Sequence, residues 1–252
     1  MLPIREIATK KDLFVAAHRG SSGTAPENTI AAYLEAIKAG ADIVEADVQM
    51  THDRKVIAFH DKNISRTTEG SGRVKDMNYD EFKDLDAGSW FSDKYKGEHI
   101  PLLSEIIRTI KGKCYLNIEV KNIEGDDLGE KIEKIIEVIH KEDYQDFTIF
   151  SSFYYNTLYQ LKQQYPDFPT AAIRIPKDTR LPSVIADETG CEAFICSIDE
   201  MTEDVADDIK SSGMFAACYL VDSREDLDRV LKLPVRGLVT NYPAKIKSLL
   251  KK

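Results

Sequence analysis

The sequence predicts an α/β protein in which eight parallel strands close into a barrel, with one antiparallel return strand and an inserted segment after it. Three observations predict it. β-rich runs alternate with helix-patterned segments along the chain, which calls for parallel strands joined by crossover helices. There are nine such runs, one more than a closed eight-stranded barrel uses. The length of 252 residues is what a single barrel domain occupies, and no linker interrupts the alternation, so residues 1–252 read as one domain.

The strand runs are residues 13–17, 43–48, 55–59, 115–120, 147–150, 170–175, 193–196, 215–221 and 237–240, each rich in β-branched or aromatic residues. Between them, segments such as 28–38, 128–140, 154–164, 202–212 and 224–231 carry helical apolar spacing. The run at 55–59 follows 43–48 after a few residues, whereas a parallel return needs a dozen or more, so this pair forms an antiparallel hairpin. A two-residue turn centred on His52 and Asp53 pairs Thr51 with Arg54. Glu45 then falls opposite His60, and Asp47 shares their face. Residues 61–101, with Gly70, Gly72, Gly88, Gly97 and the single tryptophan, Trp90, interrupt the alternation as a small inserted subdomain or long loop.

Hydrophobic residues make up 42% of the chain and charged residues 31%, enough for a sizeable core and too balanced for disorder. Acidic residues outnumber basic ones by 43 to 34, and a net charge of −9 repels polyphosphate, which argues against a nucleic-acid partner. No apolar run reaches the roughly 20 residues of a membrane span, and the first eleven residues are too polar for a secretory leader. Cys114, Cys191, Cys196 and Cys218 lack CxxC spacing and read as reduced, structural thiols. The expected location is the cytoplasm, although a processed secreted form would read the same.

In a parallel α/β barrel the chemistry sits at the C-terminal strand ends. There the first strand stops at His18-Arg19-Gly20, the second carries Glu45 and Asp47, and the hairpin return ends at His60-Asp61. The run Asn117-Ile118-Glu119-Val120-Lys121 puts three polar side chains on one face of a strand that should be buried. Three carboxylates, Glu45, Asp47 and Glu119, in one barrel mouth repel unless a cation sits among them. Oxygen ligation favours Mg²⁺ or Ca²⁺, and the nearby histidines leave Mn²⁺ open. The alternative is a structural ion network of these acids with Lys121 and Arg19. His18 and His60 are placed to move protons, one from an attacking oxygen and one to a departing alkoxide. Arg19 and Lys121 suit a phosphate ester. His52, His99 and His140 fall in a turn, the insertion and a helix end, and receive no role.

At these residues the chain resembles the glycerophosphodiester phosphodiesterases. The series is His18-Arg19-Gly20, Pro26-Glu27-Asn28-Thr29, Glu45-x-Asp47-Val48, His60-Asp61, Arg66-Thr67-Thr68, Ile100-Pro101, Asn117-Ile118-Glu119-Val120-Lys121 and Ser151-Ser152-Phe153, in order and spacing. The resemblance runs from about His18 to Pro243. It implies a (β/α)8 TIM barrel with a small insertion after the second strand, metal ligands at Glu45, Asp47 and Glu119, acid–base histidines at His18 and His60, and phosphate contacts from Arg19 and Lys121. It also implies hydrolysis of glycerophosphodiesters, such as glycerophosphocholine or glycerophosphoethanolamine, to sn-glycerol 3-phosphate and an alcohol, with a divalent cation. Glu27 looks set to hold loop structure and the following helix start.

The chain departs from the family series at three places. Where many members have Trp-Thr-Val-Asn on the seventh strand, it reads Tyr219-Leu220-Val221-Asp222, so Tyr219 stands for the tryptophan of the alcohol pocket. Asn241 stands where Asp is frequent, and Thr51-His52-Asp53-Arg54 lacks the common glycine. Neither of these last two is expected to touch the catalytic set. Two other readings compete: a barrel cleaving a phosphoinositide or sphingolipid headgroup, for which Trp90-Phe91 is the one exposed apolar pair, and a non-catalytic anion-binding barrel.

Overall fold

The computed structural model describes residues 1–121 and 127–251. In chain order, the elements begin with helix α1 (Ile4–Ile7), β1 (Phe14–Ala17), α2 (Ile30–Lys38), β2 (Ile43–Met50), β3 (Val56–Ala58), α3 (Leu103–Ile110) and β4 (Tyr115–Val120). They continue through α4 (Leu128–Lys141), β5 (Thr148–Ser152), α5 (Tyr155–Gln164), β6 (Thr170–Ile173), α6 (Pro182–Thr189) and β7 (Ala193–Ser197). The chain closes with α7 (Glu203–Ser212), β8 (Phe215–Tyr219), α8 (Arg224–Val230), β9 (Gly237–Thr240) and α9 (Pro243–Leu249). Eight strands, all but β3, form a parallel ring that β1 closes by pairing with both β2 and β9. The expected barrel is therefore present, and β3 bonds to β2 outside the ring, antiparallel as its short connection requires.

The residue pattern accounts for the layers. Val44, Ala46 and Val48 of β2 and Leu116, Ile118 and Val120 of β4 are buried under the helices, while the alternate residues point into the barrel. In α4, Ile132, Ile135, Ile136 and Ile139 repeat at helical spacing and are all buried. Asp127 caps that helix by accepting from Glu130 N at 3.0 Å. At the N-terminal end of the ring, Ile4 of α1 packs with Phe14, Ala16, Ile43 and Tyr115 and covers the barrel floor. The inserted segment contains short 3₁₀ turns at Ile64–Arg66, Val74–Asp76, Tyr79–Glu81 and Asp93–Tyr95. It has its own small core of Ile64, Val74, Phe82, Ala87 and Ile100, packed on Ile57 and Phe59.

The hairpin register differs from the expected one by one residue. Val48 pairs with Ala58, Gln49 with Ile57 and Met50 with Val56. The turn has three residues rather than two: Thr51 N donates to Lys55 O at 2.9 Å and Arg54 N to Thr51 O at 3.0 Å, with Arg54 at φ 62°. This is the type I turn with a left-handed third residue, and Arg54 occupies the position that glycine usually fills. Continued, the register would set His60 beside Ala46, away from Glu45. The ladder instead ends at Ala58, and Gln49 Nε2 donates to the carbonyls of Phe59 at 2.8 Å and Asp61 at 2.7 Å. Those two bonds hold the carbonyls of the residues before and after His60, which lines the same cavity as Glu45.

Candidate active site

β2 and β4 lie in register, Glu45 beside Asn117 and Asp47 beside Glu119. Alternation sends all four inward, and carboxylate oxygens of Glu45, Asp47 and Glu119 fall within 4.8 Å of one another while all three residues are buried. Two cations answer them. Lys121 Nζ reaches Glu119 and lies 2.9 Å from Asp47 Oδ1, and Arg19 Nε lies 3.1 Å from Asp47 Oδ2. The ion network foreseen as an alternative is thus present, yet it leaves three acids against two cations. Glu45 Oε2 accepts from Arg19 N at 2.7 Å, and Glu45 Oε1 is buried with no hydrogen-bond partner among the described residues. An anionic oxygen so placed is costly without a counter-ion, and a hard divalent cation at this cluster fits the all-oxygen donor set.

The protonation states carry the same strain. Burial, with Asp47 and Glu119 nearby, pushes the Glu45 carboxyl well above its ordinary range. Burial and Asp47 push Glu119 up to about 7. Asp47 goes the other way: Lys121 and Arg19 outweigh its burial and hold it below the ordinary carboxylate range.

A tight turn after β1 presents Arg19. Arg19 sits at φ 54° and Gly20 at φ 77°, and a Cβ on Gly20 would come within 2.7 Å of Ala32, so the HRG glycine has both a conformational and a steric reason. Asn28, also left-handed at φ 57°, donates from Nδ2 to Asp47 Oδ2 at 2.9 Å, and its Oδ1 accepts from Asp47 N and the Tyr33 hydroxyl. Helix α2 starts from Thr29, whose hydroxyl accepts from Ala32 N at 3.3 Å, and not from Glu27. Glu27 bridges two guanidinium groups, Arg19 Nη1 at 2.9 Å and Arg66 Nη1 and Nη2 at 2.9 and 2.6 Å. Arg66, from the insertion, also donates to Asp61, and Asp61 Oδ1 lies 2.6 Å from His60 Nδ1.

His18 Nδ1 lies 2.8 Å from Asn241 Oδ1. This corrects the expectation that Asn241 is remote from the catalytic set: β9 pairs with β1, so its C-terminal end meets the His18 turn. Burial lowers the proton affinity of both histidines, and Arg19 lowers it further for His18. His60 is also drawn upward by Asp47 and Asp61.

These groups line a cavity of about 290 Å³ with two unlike walls. His18, Arg19, Glu45, His60, Glu119 and Lys121 form one, and Phe153, Ile173, Ile195, Tyr219, Leu220 and Val239 the other. Tyr219 therefore lines the pocket, as the resemblance implied, and burial pushes its hydroxyl up to about 12, so it stays protonated. Every residue assigned to the site from sequence is on this cavity or, for Asp47, directly beneath it. Gln49, Asn28, Arg66, Asp222 and Asn241 were not assigned. Asn28 and Arg66 stood in the motif series, whereas Gln49 carried no signal beyond its inward strand position. Trp90 is exposed, turns its Nε1 to Ala87 O at 2.9 Å and packs on Phe91, which packs on Tyr95 where the insertion meets Ala25, Ala31 and Ala32.

The model of the glycerophosphoryl diester phosphodiesterase family matches residues 18–245. A glycerophosphodiester phosphodiesterase of Caldanaerobacter subterraneus is 35% identical over 243 residues, covering 94% of this chain and 98% of the relative. One from Bacillus subtilis is 32% identical over 248 residues, covering 92% and 84%. Among solved structures, a phosphodiesterase of Oleispira antarctica in complex with the product sn-glycerol-3-phosphate superposes with a TM-score of 0.89 at 32% identity, covering 95% of this chain and 97% of that one.

Proposed function

The chain belongs to the glycerophosphoryl diester phosphodiesterase family and is a phosphoric diester hydrolase; from that premise we propose that it cleaves small glycerophosphodiesters, glycerophosphocholine and glycerophosphoethanolamine among them, to sn-glycerol 3-phosphate and an alcohol. The observation that carries the reading is the buried Glu45 Oε1, left without a partner among the described residues in a three-carboxylate cluster beside two cations and two histidines. Glu45, Asp47 and Glu119 would hold Mg²⁺ or Ca²⁺, with Mn²⁺ as a substitute. When bound, the cation supplies neutralisation of charge on the non-bridging phosphate oxygens.

Arg19 and Lys121 bind the phosphate from the same wall. The two histidines have unlike partners, and this separates their roles. An amide oxygen faces His18 Nδ1, which supports a neutral ring able to take a proton from the attacking oxygen. A carboxylate faces His60 Nδ1, which stabilises the imidazolium and suits it to protonate the departing alkoxide. The apolar wall with Tyr219 receives the remainder of the substrate.

The test measures glycerol 3-phosphate released from glycerophosphocholine and glycerophosphoethanolamine with Mg²⁺, Ca²⁺, Mn²⁺ or chelator. Release that a chelator abolishes and a cation restores is expected. Binding of these esters with no turnover under any cation would show a non-catalytic barrel.

A further inference from the structure

We propose that Asn241, held by Asp222, is a positioning residue that fixes His18 as its Nδ1–H tautomer and so leaves the lone pair on Nε2. The hydrogen bonds leave one assignment. Asn241 Nδ2 lies 2.7 Å from Asp222 Oδ2, and only the amide nitrogen can donate to a carboxylate. The amide oxygen is thereby turned to His18, beside the Ser22 hydroxyl, which lies 2.8 Å from it and 2.7 Å from the His18 carbonyl. An amide oxygen has no proton to give, so the ring nitrogen at 2.8 Å must be the donor.

Asp222 is itself anchored, accepting from Thr240 Oγ1 and Asn241 N, both at 2.8 Å. The arrangement spans the loop after β8 and the end of β9, two elements on the far side of the ring closure from β2. Arg19, Glu27 and Asp47 also bear on His18 through their charge, and among the described residues the hydrogen bond at its ring is the one to Asn241.

Two of the departures from the family series prove to be the halves of one contact. Asp222 stands where Asn is common and Asn241 where Asp is common, and here these two side chains bond to each other. In this chain the neutral member of the amide–carboxylate pair, Asn241, is the one against the histidine.

The inference rests on the reading of His18 as a proton-transfer group, but its first readout needs no substrate. Long-range ¹H–¹⁵N correlation spectra of the ring-labelled full chain, with His18 assigned by its loss in His18→Gln, report which nitrogen carries the proton. The wild-type ring is expected in the Nδ1–H form, and Asn241→Ala is expected to shift it to Nε2–H or a mixture. In turnover, Asn241→Ala should lower kcat roughly 10- to 100-fold with KM nearly unchanged, since the loss falls on proton transfer and not on phosphate binding. The double exchange Asp222→Asn/Asn241→Asp rebuilds the pair and should restore both the Nδ1–H signature and most of kcat. A wild-type ring protonated on Nε2 overturns the proposal, as does an Asn241→Ala protein that keeps the Nδ1–H form and wild-type kcat. A wild-type Nδ1–H ring with no turnover on any ester would instead defeat the functional reading and leave the tautomer assignment standing.

Discussion

At the scale of single residues, the site pairs groups whose environments pull their proton affinities apart. Replacing either His18 or His60 by alanine should lower turnover by about 10² to 10⁴ with an unchanged circular dichroism spectrum, the usual loss for a proton-transfer group. The acid cluster predicts a pH-dependent cation affinity. Glu119, pushed up to about 7, and Glu45, pushed well above its ordinary range, hold protons in the metal-free protein that a cation must displace. Affinity should therefore rise as pH rises through about 7, with protons released. Titration calorimetry in buffers of unlike ionisation enthalpy checks this, and an affinity flat between pH 6 and 8 would remove the assignment of Glu119. Much of this cluster was legible in the sequence because it obeys strand alternation: Glu45 with Asp47 and Asn117 with Glu119 are two residues apart. Asn241 was not, because its bond to His18 spans 223 positions and exists only once β9 lies beside β1.

At the scale of elements, the hairpin shows what local pattern leaves open. The existence and direction of β3 followed from a connection too short for a crossover. Its register did not, because the three-residue turn depends on Arg54 accepting a left-handed backbone that its side chain disfavours. Arg54→Gly should stabilise the protein by up to about 1 kcal/mol by removing that cost. The surface ion pair of Arg54 with Glu130, lost in the same variant, contributes little. Urea denaturation reads the change, and turnover should hold because the turn is remote from the cavity. A loss of stability would mean that the ion pair outweighs the turn. The final placement of His60 rests on the last rung of the hairpin, Phe59 N to Asp47 O at 2.9 Å, and on Gln49, whose two bonds to the Phe59 and Asp61 carbonyls take over where the ladder stops.

At the scale of the whole molecule, stability and chemistry occupy opposite ends of the barrel, as the fold prescribes. Ile4 on α1 closes the floor with Phe14, Ile43 and Tyr115, while the site opens at the strand C-termini. Ile4→Ala should therefore cost about 2 kcal/mol of unfolding free energy while leaving kcat per folded molecule unchanged. A fall in kcat matching the loss of stability would show that floor and mouth are coupled. The ring itself was readable from alternation and length, because each crossover is a local necessity. The bridge from His60 through Asp61, Arg66 and Glu27 to Arg19 was not, because it joins the inserted segment to the turn after β1 in space alone. The insertion hangs from β3, a strand that among the described residues joins the ring through β2. The number of staves does not depend on the length of the appended module, whereas its seat against the barrel does depend on Arg66 at Glu27 and on Tyr95, whose hydroxyl donates to Thr24 O at 2.8 Å, so exchanging the module leaves the ring intact and alters only this flank of the mouth.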